Sequence, residues 1–340
     1  MTKPKPTAVL ISDIHFTPAT LELATESLMQ AISKAKELKV PLVIAGDTLD
    51  SKAIIRAEVS NRLVDIFGRE RQSFLEQVFM LVGNHDMMNE KGEGHSLNFL
   101  RDYVNIVQNP VFVEEVWATL IPYQASADAL QAILDRTPKG GLIIMHQGVQ
   151  TAFMGHYVQD KTSLPKEAFA DFRVISGHYH RAQDIKCGRP RKGAVGLLSY
   201  IGNPYSLTFG EAADGPKGFQ VLYDDGLMEQ VPTNLRKHIV FETDVSNWWE
   251  IGKQDPRDLL WIKITGPASE LSSLNKQSVA AVVGHSNFKL DKLPLDRALS
   301  EEARPKDATE ANTLDRLIDQ LAEAPGQKSS LKKLWRDILK

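Results

Sequence analysis

The sequence predicts an α/β fold: a partly parallel sheet covered on both faces, then a small α+β unit and terminal helices. Three observations carry this expectation. Over the first 150 residues, short apolar runs alternate with amphipathic helical stretches. After about residue 238 that texture changes to a strand, helix, strand pattern. Beyond it, a charged stretch with a proline and almost no apolar side chains precedes two short amphipathic segments.

The elements follow in order. "TAVLISD" is a short apolar run that reads as a strand, and "ATLELATESLMQAISKAKELK" has helical periodicity. "VPLVIAGD" is apolar again, "KAIIRAEVSNRLVDIFGRE" is helical, and "QVFMLVGNHD" returns to strand. Strands this apolar are buried on both faces, which requires helices on either side of a sheet. "GGLIIMH" repeats the strand pattern and "AFADFRVISGH" passes from helix to strand. From Ala182 to Asp224 Gly, Pro and β-formers replace the helical signal, so hairpins are expected there. "DLLWIKITG", "ASELSSLNKQSVAAVVG" and "NFKLDKLPLD" then read as strand, helix and strand. The expected domains are a core over 1–238, an α+β unit over 239–298, a linker over 299–311 and helices over 312–340. In the last helix Leu331, Leu334, Trp335, Ile338 and Leu339 share one face, with Ser329 or Ser330 as N-cap. Those helices either pack on their own core or cover their stripe on a partner; the charged linker favours a partner.

Composition narrows the function. A hydrophobic content of 42% and a charged content of 24% are those of a globular protein in water. No apolar run approaches the roughly 18 residues of a membrane span, and the N-terminus offers no signal-peptide pattern. The single cysteine, Cys187, excludes an internal disulfide, fits a reducing compartment and reads as a bystander. A net charge of −3 leaves no overall basic bias for nucleic acid. Any such role rests on local patches, bound cations or a partner.

The chemistry gathers at strand ends. The first core strand runs into "SDIH", with Asp13 and His15, and the second into "GDTLD", with Asp47. The third runs into "GNHD", with Asn84 and His85; later strands end at His146 and at "GHYH", with His178 and His180. In open α/β sheets the carboxyl ends of the strands form the ligand site. A lone histidine at a strand end is ordinarily structural, and His95, His156, His238 and His285 keep that reading, although His156 could face the site. Five strand ends that all carry metal-competent side chains point to metal instead. Seven donors, leaving His85 aside, exceed one tetrahedral site and suffice for two ions sharing a carboxylate. Imidazole, carboxylate and amide together suit Mn, Fe or Zn better than Mg or Ca. Two such ions activate a hydroxide and stabilise both oxygens of an in-line displacement at phosphorus. His85 is then free to steady the phosphate or protonate the leaving oxygen, and Asp50 and Asp86 support the ligands from behind.

"D-x-H", "GD", "GNHD", a strand-terminal His and "GH-x-H", in that order over Ala8 to His180, resemble the calcineurin-like metallophosphoesterases. The resemblance implies a four-layer core, two mixed β-sheets flanked by helices, with a small capping domain and C-terminal helices. It places Asp13, His15, Asp47 and His180 on one metal and Asp47, Asn84, His146 and His178 on the other, with His85 catalytic. "YIGNPYSLTFGEAADGPKGFQVLYDD" is similar to the region after GH-x-H in SbcD-type DNA nucleases, especially phage recombination endonuclease subunits. That likeness implies a Mn-dependent 3'-5' exonuclease and single-strand endonuclease for DNA break repair or recombination, with Mg, Fe or Zn as other metals. It further implies an SMC-like ATPase partner of SbcC type, a homodimer through the nuclease domain and a cytoplasmic setting in a bacterial or phage-infected cell. Arg181, Lys186, Arg189, Arg191 and Lys192 are candidate DNA contacts, though a solvated charge run is the usual fate of such a stretch. The alternatives are a phosphoesterase of the same fold acting on a small phosphomonoester or cyclic nucleotide, and a non-catalytic scaffold.

Overall fold

The computed structural model describes residues 3–89, 92–155, 158–188 and 196–295. Strands run at Pro6–Ile11 (β1), Leu42–Ile44 (β2), Val78–Leu81 (β3), Asn105–Val107 (β4), Val111–Val113 (β5), Ala118–Ile121 (β6) and Leu142–His146 (β7). Further strands are Arg173–Gly177 (β8), Gln183–Lys186 (β9), Leu197–Tyr200 (β10), Gly218–Tyr223 (β11) and Met228–Pro232 (β12). The last three are His238–Asp244 (β13), Leu259–Gly266 (β14) and Phe288–Pro294 (β15). The α-helices are Leu21–Leu38 (α1), Ala57–Gly68 (α2), Gln72–Leu75 (α3), Ala127–Arg136 (α4), Ala268–Ser273 (α5) and Lys276–Val283 (α6).

Two six-stranded sheets form the core, in the orders β12-β11-β1-β2-β3-β4 and β5-β6-β7-β8-β10-β9. In the first, β1 through β4 pair in parallel and β11 closes antiparallel on β1. In the second, β6, β7, β8 and β10 are parallel, with β5 and β9 antiparallel at the edges. Both sheets are therefore mixed. Strand alternation sorts the side chains. Ala8 and Leu10 of β1 join Val43, Leu81, Leu120, Ile144 and Ile175 in a core between the sheets. Val9 and Ile11 face the other way, into a layer with Leu28, Ile32, Leu63 and Phe67 of α1 and α2. On the outer face of the second sheet Ile143, Met145 and Val174 pack with Leu130 and Leu134 of α4. Helix, sheet, sheet, helix is the four-layer core that the sequence motifs imply.

The helices show their causes locally. In α1 the buried positions Ala24, Leu28, Ala31, Ile32 and Ala35 recur at helical spacing, and Lys39 ends the helix at φ 57. The second helix starts later than its periodicity suggests: Lys52 to Arg56 stay outside it and α2 begins at Ala57. The single helix expected over 268–284 is broken into α5 and α6. Asn275 starts a new helix there, through a capping box with Ser278. Strands β4 to β6 and β13 are elements that the apolar pattern alone did not single out.

The chain divides into two compact units, one of Met1–Val240 with Asp255–Trp261 and one of Phe241–Gln254 with Ile262 onward. A third sheet in the order β13-β14-β15 is present, with Leu260, Ile262 and Ile264 buried along β14. The linker at 299–311 and the helices at 312–340 lie outside the described residues. Among the described residues no helix is long and apolar enough to cross a membrane.

Candidate metal centre

Each side chain expected at the site sits just past, or at, the carboxyl end of a parallel strand: Asp13 and His15 after β1, Asp47 after β2, Asn84 and His85 after β3, His146 at the end of β7, His178 and His180 after β8. Turning four of these side chains inward takes uncommon backbone. Asp13, His15, Asp47 and His178 all have positive φ, at 54°, 50°, 50° and 92°. Such strain persists where the surroundings over-determine it and clusters at functional sites. Two glycines make the room. Gly46 has φ 94 and a Cβ there would overlap the His146 ring, while a Cβ on Gly177 would overlap Ser12 Oγ and the Ala45 carbonyl.

The donors form two groups that meet at Asp47. Asp13, His15 and His180 bring one ligand atom each within 4.8 Å of one another, and so do Asp47, His146 and His178. Asn84 joins the second group, its Oδ1 lying 2.8 Å from His178 Nδ1 and 3.1 Å from His146 Nε2. Asp47 Oδ2 is 3.2 Å from His146 Nε2 and 3.9 Å from His15 Nε2, so one carboxylate faces both groups. Asp13, His15, Asp47 and His146 are buried, whereas Asn84, His85, His178 and His180 are half-buried and form the open edge.

Hydrogen bonding decides which ring nitrogens are bare. His146 Nδ1 lies 2.7 Å from the Ala45 carbonyl, which can only accept, so Nδ1 carries the hydrogen. Its Nε2 then faces two further acceptors, Asp47 Oδ2 and Asn84 Oδ1. On the other side His15 Nδ1 is 3.3 Å from Asp50 Oδ1, and His180 Nδ1 is 2.9 Å from Glu211 Oε1. Glu211 places the His180 hydrogen on Nδ1, whereas Asp50 forms no hydrogen bond with His15 Nδ1; the two Nε2 atoms face one another at 3.1 Å. Either an Nε2–H of His15 donated to His180, or a cation shared between them, satisfies the bare His180 nitrogen at this spacing. Burial alone would lower His146, yet the Asp47 carboxylate beside its Nε2 raises it to about 9. Asp47 resists burial and is held well below the carboxylate range by His146. For His178, burial and then the neighbouring His146 push it down to about 4, keeping that ring neutral. The residues present fit divalent cations, and the family and the two donor groups together point to such ions.

The supporting residues divide their work. Asp50 backs His15 with its carboxylate and accepts from His85 Nδ1 at 2.7 Å with its carbonyl. That bond leaves His85 Nε2 free, and the His85 N–H donates to Asp47 Oδ1 at 2.8 Å. Asp86 makes no approach to a donor group through hydrogen bonds; it accepts from the N–H groups of Leu49 and Gly83 at 2.8 and 2.9 Å and ties two ligand loops together. Glu211 and Lys217 were not expected. Glu211 lies in the "TFGE" stretch used for the nuclease likeness, and its distance from "GHYH" in sequence hides the contact. Burial raises its carboxyl, but the His180 N–H and Lys217 outweigh that and hold it down to about 2.

Elsewhere the expectations fall as follows. Arg181 stacks over Phe153 with 5.3 Å to the ring centroid, and Lys186 is exposed on β9. Arg189, Arg191, Lys192 and His156 lie outside the described residues, as do Leu331, Leu334, Trp335, Ile338 and Leu339. His95 accepts from Leu97 N at 3.2 Å, His238 bonds Ser206 at 2.9 Å and His285 accepts from Asn287 N at 3.1 Å, all away from the two donor groups. Cys187 is buried, its thiol pushed up to about 11 by burial, which makes it inert.

A four-layer core with this donor set is that of a metallophosphoesterase-type hydrolase. The chain belongs to the calcineurin-like phosphoesterase family, whose profile matches residues 6–182. Among solved structures, a dimetal phosphatase from Danio rerio is similar with a TM-score of 0.41 and 13% identity, over 65% of this chain and 93% of that chain. No curated protein matches the chain.

Proposed function

We propose that this chain is a Mn-dependent DNA nuclease subunit, a 3'-5' exonuclease and single-strand endonuclease that works with an SMC-like ATPase in DNA break repair or recombination. One observation carries the reading. The segment Tyr200–Asp225, on which the nuclease likeness rests, is bonded directly to the ligand end of β8: Asn203 N and Lys217 Nζ donate to the His180 carbonyl at 3.2 and 3.0 Å, and Glu211 holds its ring. The stretch that is similar to SbcD-type nucleases thus supports the reading by bonding to a candidate ligand.

Asp13, His15, Asp47 and His180 would hold one ion and Asp47, Asn84, His146 and His178 the other. Bound there, the ions supply an activated water and positive charge for the oxygens at phosphorus. The chain's own groups do the rest. Asp47 keeps the two donor groups together. His85, fixed through Nδ1 to Asp50, offers its free Nε2 at the half-buried edge, placed to exchange a proton with the leaving oxygen. Arg181, beside His180, supports a phosphodiester backbone. Exposed Ile54, Met88 and Met154 follow β2, β3 and β7 on the loops that leave the ligand ends, apolar surface suited to splayed bases.

The test is cleavage of linear duplex and single-stranded DNA with Mn²⁺, with and without the ATPase, beside hydrolysis of bis-p-nitrophenyl phosphate. Metal-dependent cleavage of DNA is expected. Turnover of the small diester with intact DNA under every condition would transfer the chain to the small-molecule phosphoesterases. Removing residues 312–340 should leave the small-diester activity in place and abolish any stimulation by the ATPase.

A further inference from the structure

His180 is held through both its ring and its main-chain carbonyl. Its Nδ1 donates to Glu211 Oε1 at 2.9 Å. The other oxygen of that carboxylate accepts from Asn203 Nδ2 and from Leu207 N, each at 3.0 Å, and faces Lys217 Nζ at 3.3 Å. Lys217 in turn donates to the His180 carbonyl at 3.0 Å and to Asp214 at 2.8 Å. The Glu211, Lys217 and Asp214 side chains are 11%, 13% and 6% exposed, so the group is assembled out of water, where charge-assisted bonds are strong and geometry is well kept. Lys217 therefore grips both the main chain of His180 and the carboxylate that grips its ring.

We propose that Glu211, clamped by Lys217, is a positioning residue that fixes the tautomer and ring orientation of His180 so that its Nε2 is presented bare to one of the two metal ions. The proposal rests on the reading of Asp13, His15 and His180 as a metal site. A carboxylate can only accept, so it places the imidazole hydrogen on Nδ1 and leaves the lone pair on Nε2, 3.1 Å from His15 Nε2. It also raises the basicity of the ligand. Across the group Asp50 Oδ1 lies 3.3 Å from the buried His15 Nδ1 without forming a hydrogen bond, so the carboxylate clamp belongs to His180. Without Glu211 the ring is free to rotate or to carry its hydrogen on Nε2, and either change removes one donor from one ion. Asp47, His146 and His178 keep their contacts, so the second ion is spared.

Metal-free protein titrated with Mn²⁺ alone provides the test, read as the number and affinity of bound ions by calorimetry and by Mn²⁺ spin resonance. Wild type should bind two ions. E211A should bind one with wild-type affinity and the other about ten- to a hundredfold more weakly. E211Q, which keeps an acceptor without the charge, should fall between. Nitrogen-15 spectra of the imidazoles in metal-free wild type should show His180 protonated on Nδ1, a readout that stands even if E211A does not fold. Two ions of wild-type affinity in E211A, an equal weakening of both, or a His180 protonated on Nε2 in wild type would each overturn the proposal. A wild type that takes up no Mn²⁺ would instead remove the metal site on which it rests.

Discussion

Asp160 gives the most quantitative prediction. It is 3% exposed and accepts from Thr162 N at 2.7 Å, Ser163 N at 3.1 Å and the Tyr179 hydroxyl at 2.6 Å. Tyr179 stands between His178 and His180, so this carboxylate anchors the turn that carries two ligands. Burial pushes the Asp160 carboxyl up, but those hydrogen bonds prevail and hold it down to about 2. Against an ordinary carboxyl near ~3.9, a group held there contributes at most about 2.6 kcal/mol at neutral pH. Screening at the loop reduces this to roughly 2 kcal/mol. Asp160→Asn keeps one acceptor for the loop N–H groups but loses the charge and the second oxygen that Tyr179 uses. With a urea slope of about 3 kcal/mol/M, the midpoint should fall by ~0.7 M. The pH dependence has a definite sign. A lowered carboxyl stabilises the fold fully above the unfolded value and loses that contribution as pH falls towards about 2. The gap between wild type and D160N should therefore be constant above pH 5 and roughly halved at pH 3. Tryptophan fluorescence in urea and EDTA, at pH 7 and pH 3, measures it. Equal midpoints at pH 7, or a gap unchanged at pH 3, would refute the reasoning.

Three further outcomes are expected. Asp47→Asn removes the one carboxylate that faces both donor groups, so calorimetry should show Mn²⁺ affinity falling at both sites together, by at least tenfold each. If the His85 ring supplies a proton rather than a ligand, His85→Ala should leave both ions bound, lower the turnover of a phosphodiester with an alkoxide leaving group by about 10²- to 10⁴-fold, and largely spare bis-p-nitrophenyl phosphate, whose phenolate leaves without a proton. Gly177→Ala forces a Cβ onto Ser12 Oγ and the Ala45 main chain, and should lower stability in urea by about 1–3 kcal/mol whether or not metal is present.

Much of the fold could be read along the chain because β1, β2, β3, β7 and β8 are short runs buried on both faces, and a continuous apolar run of strand length is stable only between two covering layers. The edge strands are less legible. Strands β4 and β5 have three residues each and alternate weakly, so they become strands only by pairing with β3 and β6. Likewise the break between α5 and α6 is a matter of one capping box, which a run such as "ASELSSLNKQSVAAVVG" conceals under continuous helical composition.

For the site, Asp13, His15, Asp47, Asn84, His85, His146, His178 and His180 could be picked out as candidates from the sequence, since each follows an apolar run and strand direction carries all such ends to one edge. Their chemistry was decided by tertiary structure. Which nitrogen of an imidazole is bare depends on partners far along the chain: Ala45 for His146, and Glu211, with Lys217 behind it, for His180. A hydrogen bond between residues separated by thirty or more positions leaves no periodic trace, because spacing encodes only neighbours on one helix or strand. The donors were written in the motifs; their orientation came from packing.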